Sequence, residues 1–301
     1  MEKIFKSGFV SLVGRTNVGK STLLNSLVQE EVAITTKKTQ TTRKAIKAII
    51  NRKNSQIIIT DTPGIHKPKT KLSETMIETA FGIFKEVDLI LFVIEATSLD
   101  VGRGDRRILE KIKEANKPCI LVINKIDLST KEQIAKLISF YSKEYDFNAV
   151  VPVSSIKNKG IEVLLLEIEK LLPKGPKYYE DDEYTDQTSR ELVEEKVREK
   201  ALKLLNDEVP HGIYVEVENF KNRLTKNGES IIDIDVLIYC LRESHKGIII
   251  GKDGKMLKKI STFARQDLET ILGTKINLKV WVKVKEDWQE KEDIINKFKL
   301  K

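Results

Sequence analysis

Short apolar runs alternate with amphipathic segments over the first 172 residues, and this rhythm predicts alternating strands and helices. Strands are predicted at residues 9–13, 44–50, 55–60, 88–94, 118–123 and 149–153, the second and third forming a hairpin. Helices are predicted at residues 22–27, 73–86, 106–115, 131–145 and 161–172. Such alternation indicates an α/β domain with a mostly parallel six-stranded sheet, helices on both faces, and ligands at the carboxyl ends of the strands.

The pattern changes after residue 172. Residues 173–184, with two prolines, a glycine and an acidic cluster, are interpreted as a linker between a first domain, residues 1–172, and a second, residues 185–301. The second domain is predicted to be α+β. Its elements are a helix from Ser189, strands at 213–218 and 232–236, a helix at 255–272, a strand at 275–285 and a C-terminal helix.

Composition is typical of a soluble globular protein, with 40% hydrophobic and 33% charged residues among 301. The net charge of +8 hints at a polyanionic partner, although a nucleotide site alone attracts lysine. Cys119 and Cys240 lie in apolar runs, so they are interpreted as core residues of a protein from a reducing compartment. The first residues lack a signal-peptide layout, and the longest apolar run is too short for a membrane span, so we expect a cytoplasmic location.

A phosphate-binding loop is predicted between the first strand and the first helix. The residues fit the pattern of glycine, four variable residues, Gly-Lys and then serine or threonine. Gly14 and Gly19 allow the backbone amides to approach phosphates, Lys20 can reach the β- and γ-phosphates, and Ser21 can bind Mg²⁺. The predicted site comprises Gly14, Arg15, Thr16, Asn17, Val18, Gly19, Lys20, Ser21 and Thr22.

Two further stretches follow in the order expected of nucleotide switches. A threonine-rich segment ends at Thr42, which we predict to bind Mg²⁺ through its hydroxyl and the γ-phosphate through its amide, with Thr41 as the alternative. The strand at 55–60 then leads into a turn whose carboxylate would hold Mg²⁺ through water and whose glycine would offer an amide to the γ-phosphate. This second stretch comprises Asp61, Thr62, Pro63, Gly64 and Ile65.

Guanine recognition is predicted after the strand at 118–123. Asp127 can accept two hydrogen bonds from the guanine edge, a donor pair that adenine lacks. Asn124 and Lys125 frame the ring, and Ile126 lies between Lys125 and Asp127 in the chain. A loop after the last strand can add a backbone amide to the guanine oxygen, although a Ser-Ser turn is also ordinary helix capping. This loop contributes Ser154, Ser155 and Ile156.

Taken in order, these motifs resemble those of the translation-factor-related GTPases. The run Gln40-Thr41-Thr42-Arg43, together with Asn17 in the phosphate loop, narrows the resemblance to the Era-like branch. Where a Ras-like enzyme has the glutamine that orients water, this chain has Ile65, which cannot hydrogen-bond. The resemblance therefore implies slow hydrolysis of GTP to GDP, with a K⁺ ion held by Asn17. Alternatively, Asn17 only stabilises the turn.

A second glycine motif lies in the second domain, where Gly251-Lys252-Asp253-Gly254 opens a helix. In the order helix, two strands, Gly-x-x-Gly, helix and strand, the segment resembles a type II KH domain. Such a loop allows the RNA backbone to approach, and the apolar residues Ile248, Ile249 and Ile250 are expected to line a groove for unpaired bases. Lysines concentrate around it. The predicted RNA-binding residues are Ile249, Ile250, Gly251, Lys252, Asp253, Gly254, Lys255, Lys258 and Lys259.

A GTPase domain followed by a KH domain resembles the Era family of ribosome-associated GTPases. The resemblance implies a monomer that binds the 3′ end of 16S ribosomal RNA in its GTP state and assists 30S subunit maturation. It also implies contact with the inner face of the cytoplasmic membrane, although residues 287–300 are too acidic for an obvious anchor. Two alternatives remain open: a signalling GTPase whose second domain binds a protein or membrane, and an RNA-binding protein with a passive nucleotide site.

Overall fold

The computed structural model describes residues 4–36, residue 38 and residues 42–298. The chain forms two compact units. Unit 1 runs to Asp186 and takes in the C-terminal segment from Glu292, and unit 2 is Gln187–Lys291. The division predicted from the sequence, at residues 172 and 185, stays a prediction, although the residues between these points lie in unit 1.

Unit 1 is built on a six-stranded sheet, and the predicted α/β fold class is confirmed. Its strands are β1 (Lys6–Val13), β2 (Ile46–Arg52), β3 (Ser55–Asp61), β4 (Leu89–Glu95), β5 (Cys119–Asn124) and β6 (Ala149–Pro152). They lie in the order β2-β3-β1-β4-β5-β6, and only β2 is antiparallel to its neighbour. The β2–β3 turn is shorter than predicted, because Arg52 already pairs with Ser55.

Helices cover both faces of this sheet. They are α1 (Lys20–Val28), α2 (Lys71–Gly82), α3 (Arg103–Ala115), α4 (Lys131–Glu144) and α5 (Ile161–Leu171). Apolar side chains of α1 and α5 share one core with the sheet, and those of α3 and α4 share the core on the other face. The helix predicted to continue to residue 86 ends at Gly82 and is followed by a 3₁₀ turn at Ile83–Lys85.

The segment that follows α5 lies along the free edge of β2. The amide of Ile49 donates to the carbonyl of Tyr184 at 3.0 Å, and Ala48 forms an antiparallel bridge with Thr185. The Asn51 side chain donates to the carbonyl oxygens of Glu180 and Asp181, each at 3.1 Å. An edge strand presents unpaired backbone groups, and this segment satisfies part of them. Residues predicted as a linker are therefore bonded to unit 1.

Unit 2 has a three-stranded sheet with helices on one face, and its predicted KH class is confirmed. Its elements are α6 (Ser189–Leu204), β7 (Tyr214–Leu224), β8 (Ser230–Cys240), α7 (Glu243–Ile250), α8 (Lys255–Leu272) and β9 (Lys275–Val284). β8 is central, antiparallel to β7 and parallel to β9. β7 and β8 are longer than predicted, because polar residues such as Arg223 and Asp233 pair across the hairpin.

The C-terminal helix α9 (Glu292–Ile295) belongs to unit 1, whereas the sequence placed it in the second domain. It contacts α2, where Lys71 and Glu292 form an ion pair of 2.6 Å, and Ile294, Ile295 and Phe298 are buried. The sequence could not show this, because a short amphipathic helix does not reveal which surface covers its apolar side. Among the described residues, no helix has the length and apolar composition needed to cross a membrane.

The first turn of α6 offers a test of local stability. The Thr188 hydroxyl accepts from the Glu191 amide, and the Glu191 carboxylate accepts from the Thr188 amide, a reciprocal cap. We expect Thr188→Val to lower the free energy of unfolding of unit 2 by about 1 kcal/mol, because one helix amide loses its acceptor. Thr188→Ser keeps the hydroxyl and is the control. Denaturation measures the free energy of unfolding, and amide hydrogen exchange over Ser189–Leu204 reports the local effect on α6. Equal exchange in Thr188→Val and Thr188→Ser would contradict the prediction.

Candidate nucleotide and RNA sites

The phosphate loop lies between β1 and α1, where the sequence predicted it. Gly19 precedes the helix with a φ of 93°, and a Cβ there would lie 2.5 Å from the Asn124 side-chain nitrogen. This position therefore requires glycine. The first turn of α1 contains no acidic residue, so the positive end of the helix faces the loop without a competing carboxylate. The loop is built to receive an anion.

Lys20 is buried beneath this loop. Its Nζ donates to the carbonyl oxygens of Gly14 at 3.1 Å and Arg15 at 3.0 Å. Burial lowers the pKa of Lys20 to about 8, and the nearby Asp61 carboxylate opposes that shift only in part. A phosphate at the loop would supply the negative charge that the buried ammonium lacks.

Three oxygen-bearing side chains meet beside Lys20. The Ser21 hydroxyl donates to Oδ2 of Asp61 at 2.8 Å, the Thr42 hydroxyl donates to the same atom at 2.9 Å, and the two hydroxyls are 2.8 Å apart. Asp61 is fully buried, and desolvation raises its pKa although Lys20 and both hydroxyls oppose the shift. Its Oδ1 has no hydrogen-bond partner among the described residues. This set of hard oxygen donors with an unsatisfied carboxylate oxygen fits Mg²⁺.

The turn after β3 is bonded to the phosphate loop. The Ile65 amide donates to the carbonyl of Gly14 at 3.1 Å, and the Thr62 hydroxyl donates to the carbonyl of Leu12 at 2.6 Å. A Cβ on Gly64 would lie 2.9 Å from Thr16, so the two loops touch at this point. The Ile65 side chain is packed in the core. Pro63 and Gly64 connect Thr62 to Ile65, the two residues of the turn that make these hydrogen bonds.

One buried amide side chain joins the phosphate loop to the predicted base loop. Asn124 Nδ2 donates to the carbonyl of Val18 at 3.1 Å, and Asn124 Oδ1 accepts from the Ser155 hydroxyl at 2.8 Å and the Lys125 amide at 2.8 Å. Lys125 Nζ donates to the carbonyl of Asn17 at 2.6 Å and pairs with Glu95. Asn124 therefore holds three loops at fixed separation.

Asp127 stands at the open side of this arrangement. Its Oδ1 accepts from the Ser154 hydroxyl at 2.5 Å, and this bond holds the pKa of Asp127 below its usual range. Its second carboxylate oxygen, Oδ2, remains able to accept a hydrogen bond from a ligand. The Ser154 amide donates to Lys159 and the Ser155 amide to Asn124, whereas the Ile156 amide donates to no described residue. Ile126 begins a 3₁₀ turn that ends at Leu128.

An open hollow beside the phosphate loop is lined by Thr16, Asn17, Gly19, Lys20, Ser21, Thr22, Ile34, Thr35, Thr36, Thr42 and Gly64. Eight of these residues were predicted for the nucleotide site, whereas Ile34, Thr35 and Thr36 were not. Thr41, the alternative Mg²⁺ ligand, lies outside the described residues. Thr42 is described, buried and bonded to Asp61.

The Gly-x-x-Gly loop of unit 2 connects α7 to α8. Gly251 and Gly254 have φ of 72° and 73°, and the intervening Lys252 and Asp253 are exposed. A Cβ at Gly251 would lie 2.7 Å from Met256, whereas Gly254 faces open space. Lys255, Lys258 and Lys259 are exposed along the first turns of α8. The loop therefore presents bare backbone beside several cations.

The groove next to this loop differs from the predicted one. Ile249 is fully buried in the core of unit 2, Ile250 is half-buried, and Ile248 is exposed. The groove instead lies between α8 and β9, lined by Gly254, Leu257, Lys258, Ser261, Thr262, Arg265, Leu278 and Val280. Helical geometry turns the three consecutive isoleucines toward different sides, so they cannot form one wall.

Known proteins resemble this chain both in sequence and in structure. Residues 9–125 match the family described as 50S ribosome-binding GTPase, and residues 208–289 match the KH domain. GTPase Era of Thermoanaerobacter sp. (strain X514) is 53% identical over 97% of this chain and 95% of its own. GTPase Era of Clostridioides difficile (strain 630) is 51% identical over 98% of both chains.

The chain belongs to the Era family of GTPases. Two solved structures agree. One is an Era in complex with MgGDPNP and nucleotides 1506–1542 of 16S ribosomal RNA, 40% identical, with a TM-score of 0.93 and 98% of both chains covered. The other is a single-substitution variant of Aquifex aeolicus Era bound to GDP·AlF₄⁻, 39% identical, with a TM-score of 0.92 and coverage of 98% and 99%. The predicted family, fold and GTPase activity are confirmed.

Sequence reasoning missed two residues, Asp105 and Glu95, that pair with predicted residues of this Era-family site. Arg15 pairs with Asp105 of α3 at 3.7 Å, and Asp105 is buried, so its pKa is raised by desolvation although Arg15 opposes the shift. Glu95 ends β4 and pairs with Lys125 at 2.6 Å. The rule that ligands gather at the carboxyl ends of strands would have found Glu95. Asp105 carries no such signal, because it lies in the first turn of a helix.

The position of Asn124 generates a direct test. We expect Asn124→Asp to weaken binding of GTP and GDP by about tenfold or more, because the buried carboxylate cannot donate to Val18. Ser155→Ala removes only one donor to Asn124 and is expected to cost less. Titration with a fluorescent GDP analogue measures both variants. Equal affinity of Asn124→Asp and the unaltered chain would show that this side chain does not hold the loops together.

Proposed function

We propose that this GTPase binds the 3′ end of 16S ribosomal RNA in its GTP state, assists maturation of the 30S subunit, and releases the RNA after hydrolysis. The observation that carries the proposal is the presence of both sites in one chain that matches, at a TM-score of 0.93, an Era holding MgGDPNP and 16S nucleotides together. That match favours RNA over the protein or membrane surface of the signalling alternative.

The nucleotide site is assigned residue by residue. The phosphates are held by the loop amides and Lys20, with the helix end of α1 adding positive potential. Ser21 and Thr42 would hold Mg²⁺ directly and Asp61 would hold it through water, and the ion would supply positive charge against the β- and γ-phosphates. The hydroxyls now donate to Asp61, so they are already oriented around the ion position. Gly64 offers its amide to the γ-phosphate.

Guanine is assigned to a position beside Lys125 and Asp127. Asp127 accepts from the two donors of the guanine edge, while Ser154 holds the carboxylate in place. The amide left for the guanine oxygen is that of Ile156, since those of Ser154 and Ser155 donate within the protein. A site that leaves a carboxylate unpaired with the wrong base discriminates by about 10⁴-fold, which favours GTP over ATP.

Hydrolysis needs a group that orients the attacking water and a positive charge near the γ-phosphate, and the side chain at position 65 supplies neither. Ile65 is buried and apolar, so it neither orients water nor stabilises the γ-phosphate. We assign a K⁺ ion to Asn17, which is exposed at the rim of the phosphate hollow with a left-handed backbone φ of 66°. K⁺ there would supply the charge that an arginine supplies in other GTPases.

The potassium assignment predicts a difference between salts. We expect GTP turnover in KCl to exceed that in NaCl of equal ionic strength by about tenfold, because an added cation stabilises the charge of the transition state. Asn17→Gly removes the side chain without straining the left-handed backbone, and it should abolish the difference. Phosphate release under single-turnover conditions is the measurement. Equal rates in the two salts would refute the assignment.

RNA binding is assigned to the Gly-x-x-Gly loop and the groove beside it. Gly251 and Gly254 leave room for the RNA backbone, and the exposed Lys252, Lys255, Lys258 and Lys259 face its phosphates. Ile250 lies beside the loop, while Ile249 supports it from the core. The unpaired bases occupy the groove floored by Leu278 and Val280. The protein acts as a cytoplasmic monomer, and contact with the membrane stays a prediction.

Nucleotide state is expected to control RNA affinity. Thr42, which contacts the Mg²⁺ position, precedes β2, and the edge of β2 is bonded to the segment that leads into unit 2. A shift of Thr42 on loss of the γ-phosphate therefore has a covalent and hydrogen-bonded route toward residue 187. Both ligands would bias the same two states, as coupling requires.

This coupling is tested by titrating an oligonucleotide from the 3′ end of 16S rRNA against protein with a non-hydrolysable GTP analogue, with GDP, and without nucleotide. We expect affinity in the analogue state to exceed that in GDP by at least about fivefold. Thr42→Val keeps the side-chain shape without the hydroxyl, and it should remove the difference. Equal, sequence-blind binding in all three states would overturn the switch.

A further inference from the structure

The sheet of unit 2 has two different faces. Residues such as Ile234, Val236 and Val280 lie on the side that packs against the helices, within the core of the unit. Their sequence neighbours on β8 and β9 point to the opposite side, the outer face. On that face Leu237 pairs with Trp281 across the two strands, and Tyr239 pairs with Lys283.

Trp281 is the unusual residue of the outer face. It is 45% exposed, whereas the other tryptophan, Trp288, is fully buried and donates its indole nitrogen to the carbonyl of Gly212 at 2.9 Å. The Trp281 side chain makes no ring contact and no hydrogen bond with the described residues. It lies opposite Leu237, which is only 1% exposed. A flat aromatic surface is therefore available on a rigid strand.

Lysines flank this tryptophan along β9. Lys279 and Lys283 lie two residues before and after it, on the same face of the strand, and both are exposed. Lys279 forms no ion pair among the described residues, and Lys283 has only a distant one, 3.9 Å from Glu218. Further along, Lys285 lies 5.6 Å from the ring centroid of Tyr239. Cations therefore extend on both sides of the exposed ring.

Two acidic residues, Asp233 and Asp235, lie on the neighbouring strand β8. Asp233 accepts from Arg223 and from Asn277, whereas Asp235 lies opposite Lys279 and accepts from the neutral side chain of Asn219 at 3.1 Å. Glu216 lies beside Leu237 on the far strand β7. Because β9 is at the edge of the sheet, its lysines lie on the side away from β7. The edge strand β9 itself contains three lysines and no acidic residue, so its own charge favours an anionic partner.

We propose that Lys279, Trp281 and Lys283, here called the Trp281 strip, form a second RNA-binding surface. An unpaired base stacks on the exposed face of Trp281, and the two lysines contact the phosphates on either side. Base stacking on an aromatic side chain is tolerant of sequence, and lysines on both sides attract the backbone. This inference rests on the proposed RNA-binding function and extends the RNA contact beyond the groove.

The position of the strip explains how one RNA can reach both surfaces. Leu278 and Val280 line the groove on one face of β9, while the strip occupies the other face of the same edge strand. A strand of RNA leaving the groove needs only to pass around this edge. A KH groove clamps about four nucleotides. The RNA held by the solved Era runs from nucleotide 1506 to 1542, so most of it must lie beyond one groove.

The test compares RNAs of different length on the full chain. An RNA of nucleotides 1506–1542 and fragments shortened from either end are titrated with the GTP-analogue form, by anisotropy and by tryptophan fluorescence. We expect Trp281→Ala to lower the affinity for the long RNA by about tenfold and to leave the affinity for the shortest binding fragment unchanged. The long RNA should quench the fluorescence of the unaltered protein but not that of Trp281→Phe, which keeps an aromatic ring and guards against unfolding.

Charge variants supply the matched controls. Lys279→Gln and Lys283→Gln should each reduce the salt dependence of long-RNA binding by about one ion, whereas Lys226→Gln, in the exposed β7–β8 turn, should not. Lys252→Gln, in the glycine loop, should weaken long and short RNA alike.

Two outcomes would overturn the inference. In the first, Trp281→Ala binds the long RNA as tightly as the unaltered protein does, and RNA binding does not quench the fluorescence of the unaltered protein. The groove would then be the RNA site and the Trp281 strip would not bind RNA. A change in sedimentation of Trp281→Ala without a change in RNA affinity would make the face a protein interface. If the unaltered chain bound none of the RNAs, the proposed RNA-binding function itself would fail, which is a separate result.

Discussion

Asp61 is a carboxylate buried out of contact with solvent, and the nucleotide half of the protein is arranged around it. Burying such a charge costs several kcal/mol unless other groups compensate. Ser21 comes from α1 and Thr42 from the segment before β2, and both hydroxyls donate to the same oxygen of this carboxylate. Lys20, next to Ser21 in α1, adds a nearby positive charge. The unsatisfied oxygen and the depressed pKa of Lys20 leave the site incomplete until a metal nucleotide binds.

The second constraint is the set of bonds that ties loops to one another. Asn124 connects the phosphate loop, the base motif and the last loop of the sheet through one buried amide group. Ile65 connects the turn after β3 to Gly14. The residues that bind the phosphates and those that bind the base therefore belong to one hydrogen-bonded framework. Thr42, in the segment before β2, joins this framework through its side chain.

Unit 2 solves a different problem, because it must recognise a long flexible polymer with a small sheet. Its helices bury one face of that sheet and leave a groove at the edge, between α8 and β9. The edge strand then carries apolar residues toward the groove and a tryptophan with lysines on the reverse. The two-residue repeat of a strand makes both surfaces available from ten residues, Lys275–Val284.

The chemistry of both sites was readable from the sequence because each motif is local. The phosphate loop, Asp61, the base motif and the glycine loop each sit at the end of an element that their own residues specify, and α8 was predicted with its observed bounds. Only the tertiary structure decided which distant side chains support them. Asp105 beside Arg15, Glu95 beside Lys125, and Leu278 rather than Ile249 at the groove all depend on packing between elements. Periodicity shows which side of an element is apolar, but it does not show which surface covers that side. For the same reason, the places of residues 180–186 along β2 and of α9 against α2 came from the fold alone.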